Sequence, residues 1–418
     1  MSLVRLDNLT KRFGVETVLD GIDLRVEAGE KVGLVGRNGT GKSTIFRLIL
    51  GELAPDEGVV ERMKKSKVAC LAQLPRMEED ETIRDRVLEV FSEMQAMEAE
   101  LRRLEEQIAG AGDDVNDALL ARYSEMQQAF EHRGGYEYHH QADRVLTGLG
   151  FSPEEFDLPL TALSGGQRTR LMLALVLLAE ADLLLLDEPE NHLDLEAREW
   201  LEKFLKDSPK AFVVISHDRR MLNSVVGRIV ELERKKLRSY AGNYDSYLEQ
   251  KALQREQQEA SFKRQQEHIQ KEQALIDRFR YKASKARQMQ SRQKRLDKMD
   301  RVDAPEKEVS SARFKMGGVV RSGAVAIEAE DLSMSYESLV LYDGVSMKVE
   351  RGERLGIIGP NGSGKTTLLK HLAAMLGEDG RPSGSVRVGH NVDLGFYDQH
   401  HRQLNESNDI FTEIRNAR

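Results

Sequence analysis

One nine-residue pattern is written twice in this chain, as Gly36-Arg37-Asn38-Gly39-Thr40-Gly41-Lys42-Ser43-Thr44 and as Gly359-Pro360-Asn361-Gly362-Ser363-Gly364-Lys365-Thr366-Thr367. Both copies satisfy G-x-x-x-x-G-K-[ST]. In that pattern the glycines let successive backbone N–H groups turn inward onto phosphate oxygens, the lysine reaches the outer phosphates, and the hydroxyl serves Mg²⁺. The flanks suit the mechanism. Apolar Val32 to Val35 and Leu355 to Ile358 read as buried strands ahead of the loops. Ile45 to Leu50 and Leu368 to Met375 read as helices whose N-termini face the phosphates. The second lysine follows the first by 323 residues, and so does Gly352 after Gly29, the constant offset of a duplicated domain.

A chain of 418 residues exceeds one compact domain, and two or three are expected. The net charge of −8 argues against a uniformly basic nucleic-acid binder while leaving room for a local basic surface. Cys70 is the only cysteine, so no intramolecular disulfide forms, and a reducing cytosol is the expected compartment. His139-His140 and His400-His401 lack thiol or carboxylate partners at ligand spacing and read as solvated surface, so no transition metal is assigned. The N-terminus has no cleavable apolar region. The longest apolar run, Leu171 to Ala179, is far short of the roughly 20 residues of a spanning helix.

Residues 3–7 and 22–26 alternate apolar and polar side chains, as antiparallel strands flanking a turn-rich Lys11 to Glu16. Phe13 is expected exposed there, where it can stack on adenine or act as a small hydrophobic plug. Val68 to Leu71 is a short strand delivering Gln73, whose neutral amide can touch Mg²⁺ or the attacking water and swing away. Apolar residues then recur at helical spacing from Ile83 to Ile108. After Gly110-Ala111-Gly112-Asp113 they resume from Leu119 to Phe130, giving a helical hairpin. Leu163-Ser164-Gly165-Gly166-Gln167 opens the next helix with Ser164 as N-cap and backbone N–H groups open to an anion. Asp182 to Glu188 is a buried parallel strand ending in two carboxylates. Asp187 would hold Mg²⁺ through water and Glu188 would polarise the attacking water. A further buried strand, Ala211 to Ser216, delivers His217 toward the γ-phosphate from the side opposite Lys42.

Gly36 to Ser43, Gln73, Leu163 to Gln167, Leu185 to Glu188, Asn191-His192-Leu193-Asp194 and Ser216-His217-Asp218 together resemble, in order and spacing, the nucleotide-binding domain of the ATP-binding cassette superfamily. The resemblance implies an α/β P-loop cassette: a mixed, largely parallel sheet with helices and a helical subdomain. It implies an ATPase using ATP and Mg²⁺, whose two cassettes face head to tail, each site pairing one phosphate loop with the other cassette's Ser164–Gln167 type of turn. Phe13 matches the aromatic that packs on adenine. One position departs from the pattern: Glu190 stands where threonine is expected. Turned inward, its carboxylate would be repelled by the γ-phosphate, so Glu190→Thr is expected to speed hydrolysis.

Past Tyr247 the chain is polar and helix-favouring until Pro305. Phe262, Ile269, Ile276 and Ala283 repeat every seven residues, with Phe279 and Ala286 adjoining, and Met289, Leu296 and Met299 supply a return face. From Arg278 to Arg301 ten Lys or Arg face two Asp, a charge of +8 that leaves −16 for the rest. A basic helix is ordinarily a solvated linker. Here Tyr281 and Phe279 interleave with Arg278, Arg280, Lys282, Lys285, Arg287 and, further on, Arg292, a mixture that grips phosphate and stacks on bases. The run from Asp277 to Arg292 is similar to the interdomain linker of the ABC-F family, which implies a ribosome partner through tRNA and ribosomal RNA, and no membrane insertion.

The expected organisation is a first cassette over 1–245 with a helical insertion at about 80–160, a basic hairpin over 246–303, a flexible connection over 304–326, and the N-terminal part of a second cassette over 327–418. In that part Tyr336 takes the place of Phe13, and Gln399 that of Gln73. Gly359, Asn361, Gly362, Gly364, Lys365, Thr366 and Thr367 are its ATP-binding candidates, with Thr366 and Gln399 toward Mg²⁺. A second Leu-Ser-Gly-Gly-Gln, Asp-Glu strand end and histidine do not follow, so the expectation is a fragment of a longer protein or a homodimer built through first cassettes. A transporter's ATP-binding subunit and a non-hydrolysing scaffold are the alternatives.

Overall fold

The computed structural model describes residues 2–64, 66–71, 81–111, 117–279, 286–299, 321–336, 339–376, 381–397 and 408–416. They fall into two compact units, Met1–Val309 and Ser310–Arg418, taken here separately.

The first unit opens with β1 (Ser2–Phe13) and β2 (Glu16–Glu27), paired antiparallel down to Phe13 opposite Glu16. The segment expected as a turn over Lys11 to Glu16 is therefore mostly strand, with the reversal confined to Gly14 and Val15. Register shifts along the pair let the ladder run past the point where simple alternation ends. After β3 (Lys31–Val35) and α1 (Lys42–Leu50), β4 (Glu57–Arg62) returns antiparallel to the free side of β1. The short β5 (Val68–Cys70) is followed by four helices: α2 (Ile83–Glu89), α3 (Ser92–Ala111), α4 (Asp117–His132) and α5 (Tyr138–Gly148).

The single helical rhythm expected from Ile83 to Ile108 is two helices. Phe91 is buried at the joint against Tyr138, with ring centroids 5.4 Å apart. A capping box between Thr82 and Asp85 starts the first of them. Glu100 to Arg122 (2.7 Å) and Glu93 to Arg133 (3.1 Å) show that α3 and α4 run antiparallel.

Next come α6 (Gly165–Leu178), β6 (Leu183–Asp187), α7 (Leu195–Asp207), β7 (Ala211–Ile215), α8 (Arg219–Val225), β8 (Arg228–Glu233) and β9 (Lys236–Ala241). They build a six-stranded sheet in the order β5-β6-β7-β3-β8-β9, parallel except for β9. The uninterrupted leucines of β6 have a direct cause. Leu184 and Leu186 enter the core shared with the helical subdomain, while Leu183 and Leu185 enter the core shared with β1 and β2. Both sheet faces are covered, so every side chain of the strand must be apolar.

The basic hairpin is α9 (Tyr244–Phe279) and α10 (Ala286–Asp297). With 36 residues, α9 is about 54 Å long. Ile276 and Leu296 are buried between the two helices, and Arg292 donates to both oxygens of Glu272 at 2.9 Å.

The second unit holds an antiparallel sheet, β11-β10-β12, from β10 (Val325–Tyr336), β11 (Leu339–Glu350) and, after α11 (Lys365–Leu372), β12 (Arg381–Val388); α12 (Ile410–Asn416) follows. Its core is Ala329, Leu332, Leu368 and Leu372. Two expectations fail here. The helix after the second loop stops at Leu372 rather than Met375. Leu355 to Ile358 is not a strand, and Leu355 and Ile358 are 53% and 87% exposed. In the first unit β3 is a strand because β7 and β8 flank it. Among the described residues of the second unit no strand pairs with 355–358, so its backbone has no ladder to join.

Candidate nucleotide-binding site

The site lies at the C-terminal ends of β3, β6 and β7, where parallel sheets place their ligands. Gly41, with φ 108, caps α1 in a left-handed conformation, and a Cβ there would stand 2.5 Å from Val18 Cγ1. Only glycine fits, because backbone angle and space both exclude a side chain. The first backbone N–H groups of α1 are thereby left facing the loop. At Gly39 a Cβ would meet nothing within 4 Å, so the mouth of the loop is open.

Lys42 is 8% exposed and donates to the carbonyls of Gly36 (2.8 Å) and Arg37 (3.0 Å). Burial pulls its pKa below the usual lysine value, against the opposing charges of Asp187 and Glu188. Next in sequence, Ser43 donates to Asp187 Oδ2 at 2.8 Å. A hydroxyl and a carboxylate so placed are oxygen donors for a hard divalent cation that keeps its other positions for phosphate oxygens and water. Among the described residues no group of three or more His, Cys, Asp or Glu that could hold a metal ion is found. Asn38 is exposed and Thr44 half-buried at the start of α1.

Glu188 follows Asp187 with φ 47, its N–H held by the Ile215 carbonyl at 2.8 Å. That bend turns the second carboxylate away from the first. Its Oε2 accepts from the Asn191 amide at 2.8 Å, and its Oε1 lies 3.4 Å from His217 Nε2. Two sequence-expected residues from different strand ends are thus brought together.

Glu190 does not behave as expected. It is 7% exposed and turned into the protein, where Oε1 accepts from Ser216 Oγ (2.5 Å) and from the His217 N–H (3.1 Å). The repulsion argument required an inward-facing carboxylate at the phosphates, and the side chain is committed elsewhere.

The Ser164 to Gln167 turn forms a full capping box: Ser164 Oγ accepts from the Gln167 N–H at 3.3 Å, and Gln167 Oε1 from the Ser164 N–H at 3.0 Å. Gly165 and Gly166 open α6, and a Cβ on Gly166 would lie 3.7 Å from His192, linking this turn to the segment after Glu188. Phe13 is 45% exposed with Lys11 Nζ 5.6 Å from its ring centroid.

In the second unit Lys365 repeats the pose of Lys42, donating to Gly359 (2.8 Å) and Pro360 (2.5 Å), and Gly364 repeats the left-handed cap with φ 84. Gly362 shares that φ, Asn361 and Thr366 are exposed, Thr367 is half-buried in α11, and Tyr336 is 36% exposed.

Gln73, Gln399, Arg280, Tyr281, Lys282 and Lys285 lie outside the described residues, and Arg287 is described only as a position of α10. Arg278 is in the last turn of α9. Arg292 is engaged by Glu272, a structural partner that the charge count alone did not reveal.

Reading the sequence also passed over Asn191 as the partner of Glu188, Arg170, and the root of α9. Arg170 is buried, donates to Leu149 (3.1 Å) and Gly150 (2.7 Å), and lies over the Phe151 ring at 4.7 Å. Burial lowers its pKa, with Glu155 and Asp194 opposing. Its position at helical spacing on the buried side of α6 was the available signal.

A largely parallel sheet carrying a glycine-capped phosphate loop, a metal-suited Ser–Asp pair and a Glu–His pair at neighbouring strand ends defines a P-loop cassette. A family model described as ABC transporter matches residues 19–191 and 342–413, and a second with the same description matches 230–315. This chain belongs to the ATP-binding cassette family, among its ABC-F type members. It is 39% identical to the ATP-binding protein YdiF of Bacillus subtilis over 99% of this chain and 64% of that protein. It is 36% identical to the ABC transporter ATP-binding protein YfmM of the same organism, over 97% and 78%. Against ABC transporter F family member 5 of Arabidopsis thaliana it is 34% identical over 96% and 58%. The chain thus spans less than two thirds of YdiF and of the F family member. Among the described residues no helix is long and apolar enough to cross a membrane.

Proposed function

We propose that this chain binds ATP with Mg²⁺, hydrolyses it in a site completed by a second cassette's Ser-Gly-Gly turn, and acts on the ribosome. The observation that carries the hydrolytic reading is the convergence of Ser43–Asp187 (2.8 Å) and Glu188–His217 (3.4 Å) beside the glycine loop. Lys42 and the N–H groups of Gly39 to Ser43 hold the phosphates. Ser43, Asp187 and Gln73 would hold Mg²⁺, which supplies charge neutralisation on the transferring phosphoryl group. Glu188 takes the proton of the attacking water, and Asn191 fixes the carboxylate that does so. His217 contacts the γ-phosphate. At the other loop Lys365 would hold phosphate and Thr366 would serve Mg²⁺ in the same way.

The ribosomal reading rests on the hairpin. Its basic run carries +8 and begins at the far end of α9, a helix about 54 Å long, a reach suited to placing cations and Tyr281 against RNA. Cytoplasmic residence follows from that partner. The test is co-sedimentation of the Glu188→Gln chain with ribosomes in the presence of ATP. Enrichment should fall steeply with salt and vanish when the hairpin tip is removed. Equal sedimentation with and without the tip would count decisively against it.

A further inference from the structure

We infer that Glu190 is a positioning residue that fastens the segment bearing His217 to the segment bearing Glu188. The inference rests on the reading of Glu188 and His217 as the hydrolytic pair. Their side chains are 56% and 38% exposed for His217 and Glu188 respectively, so the surrounding solvent does little to hold them 3.4 Å apart. The restraint comes from beneath. Glu190 Oε1 accepts from the Ser216 hydroxyl and from the His217 backbone N–H, and all of this is buried: Glu190 is 7% exposed and Ser216 4%.

The bonds extend in both directions. Ser216 Oγ also accepts from the Asp218 N–H at 2.9 Å, and Asp218 caps α8 by accepting from Arg220 (2.8 Å) and Met221 (3.3 Å). On the other side the Glu190 carbonyl accepts from the Leu193 N–H at 3.3 Å, and the Glu188 N–H is bonded to Ile215. Two ties therefore span the ends of β6 and β7. One is main chain, Glu188 to Ile215; the other is the Glu190 carboxylate to Ser216 and His217. Together they fix both members of the Glu188–His217 pair relative to each other.

Oε2 of Glu190 is buried without a hydrogen bond among the described residues. A buried acceptor left without a donor opposes stability, so the carboxylate is better explained by the geometry it sets than by the stability it adds. Threonine, the residue of the resembling pattern, carries its oxygen on Cβ, two carbon atoms nearer the backbone than Oε1. It cannot supply the same tie unless the loop moves.

The full chain tests this in two measurements. Hydrogen exchange of the His217 amide, without nucleotide, should be about tenfold faster in Glu190→Leu and near wild type in Glu190→Gln, which keeps the Oε1 acceptor. Phosphate release should show kcat about tenfold lower in Glu190→Leu and Glu190→Thr, with KM for ATP within about twofold and rescue by Glu190→Gln. Because the residue acts through His217, the kcat loss should disappear in a His217→Ala background.

Unchanged exchange at His217 in Glu190→Leu overturns the tie, whether or not the chain hydrolyses ATP. Faster exchange with a kcat loss that persists in full without His217 overturns the positioning role. A wild-type chain that releases no phosphate counts against the proposed hydrolysis, and the exchange comparison still decides the tie.

Discussion

Glu188 stands on a left-handed backbone, φ 47, that side chains other than glycine rarely adopt, and the strain is held by its N–H bond to Ile215 and its side-chain bond to Asn191. The bend separates the two carboxylates of the β6 end, leaving Asp187 with Ser43 and Glu188 with His217. Removing the proposed base should therefore cost turnover and spare binding. Glu188→Gln is expected to lower phosphate release by about 10² to 10⁴-fold while nucleotide affinity stays within about threefold. Asn191→Ala, which frees the carboxylate without removing it, should lower kcat by about tenfold. Single-turnover phosphate release and equilibrium nucleotide binding separate these effects, and equal losses in both quantities would contradict the assignment. Where Asp187, Glu188 and His217 stand was legible from spacing, since the Asp187–Glu188 pair and His217 each end an apolar run. The direction of Glu190 was not. A one-residue change of backbone sense at Glu188 decides it, and no composition rule reports that.

The root of α9 is tied to β8 by a buried charge cluster. Glu231, 5% exposed, accepts from Tyr247 Oη at 2.7 Å and from Lys251 Nζ, and Tyr240 Oη approaches at 3.4 Å. Burial, reinforced by the Glu231 hydrogen bond, pushes the Tyr247 pKa up, so that ring stays a donor. For Lys251 burial disfavours the charge, but the Glu231 hydrogen bond and the charges of Glu231 and Glu233 outweigh it and raise the pKa above the ordinary 10.5. A raised lysine pKa stabilises the fold fully below the unfolded value and ceases to as pH climbs through the folded one. The melting-temperature advantage of wild type over Lys251→Met should thus be constant from about pH 7 to 10 and shrink above about 10.5. Circular dichroism melts check it, and a gap that widens with pH would exclude the cluster as its source. At this scale the buried strands were readable as apolar runs and the caps as Ser164 and the loop glycines. The strands β4 and β9 were not, because Glu57–Arg62 and Lys236–Ala241 are largely exposed and polar and are held by pairing rather than by burial.

The two units of the whole chain are stabilised very unequally. In the first, β6 and β7 are covered on both faces by two large cores, and Leu183 to Leu186 and Ala211 to Val214 are fully buried. In the second, the core among the described residues is Ala329, Leu332, Leu368 and Leu372, β12 is nearly all exposed, and the segment before the phosphate loop presents Leu355 and Ile358 to solvent. Amide protection follows from the free energy of the cheapest opening that exposes each hydrogen bond, and that cost tracks the apolar surface uncovered with it. Opening β7 exposes both cores of the first unit; opening β12 exposes almost none. Hydrogen exchange on the 418-residue chain should therefore find β6 and β7 protected for about hours and β10 to β12 exchanging within about minutes. Saturating Mg-ATP should slow exchange in α1 and the β6 end more than in β12, because stabilisation by a ligand falls on the openings that destroy its site. Equal protection of β7 and β12 in the free chain would mean that the second unit draws its stability from contacts other than its own small core.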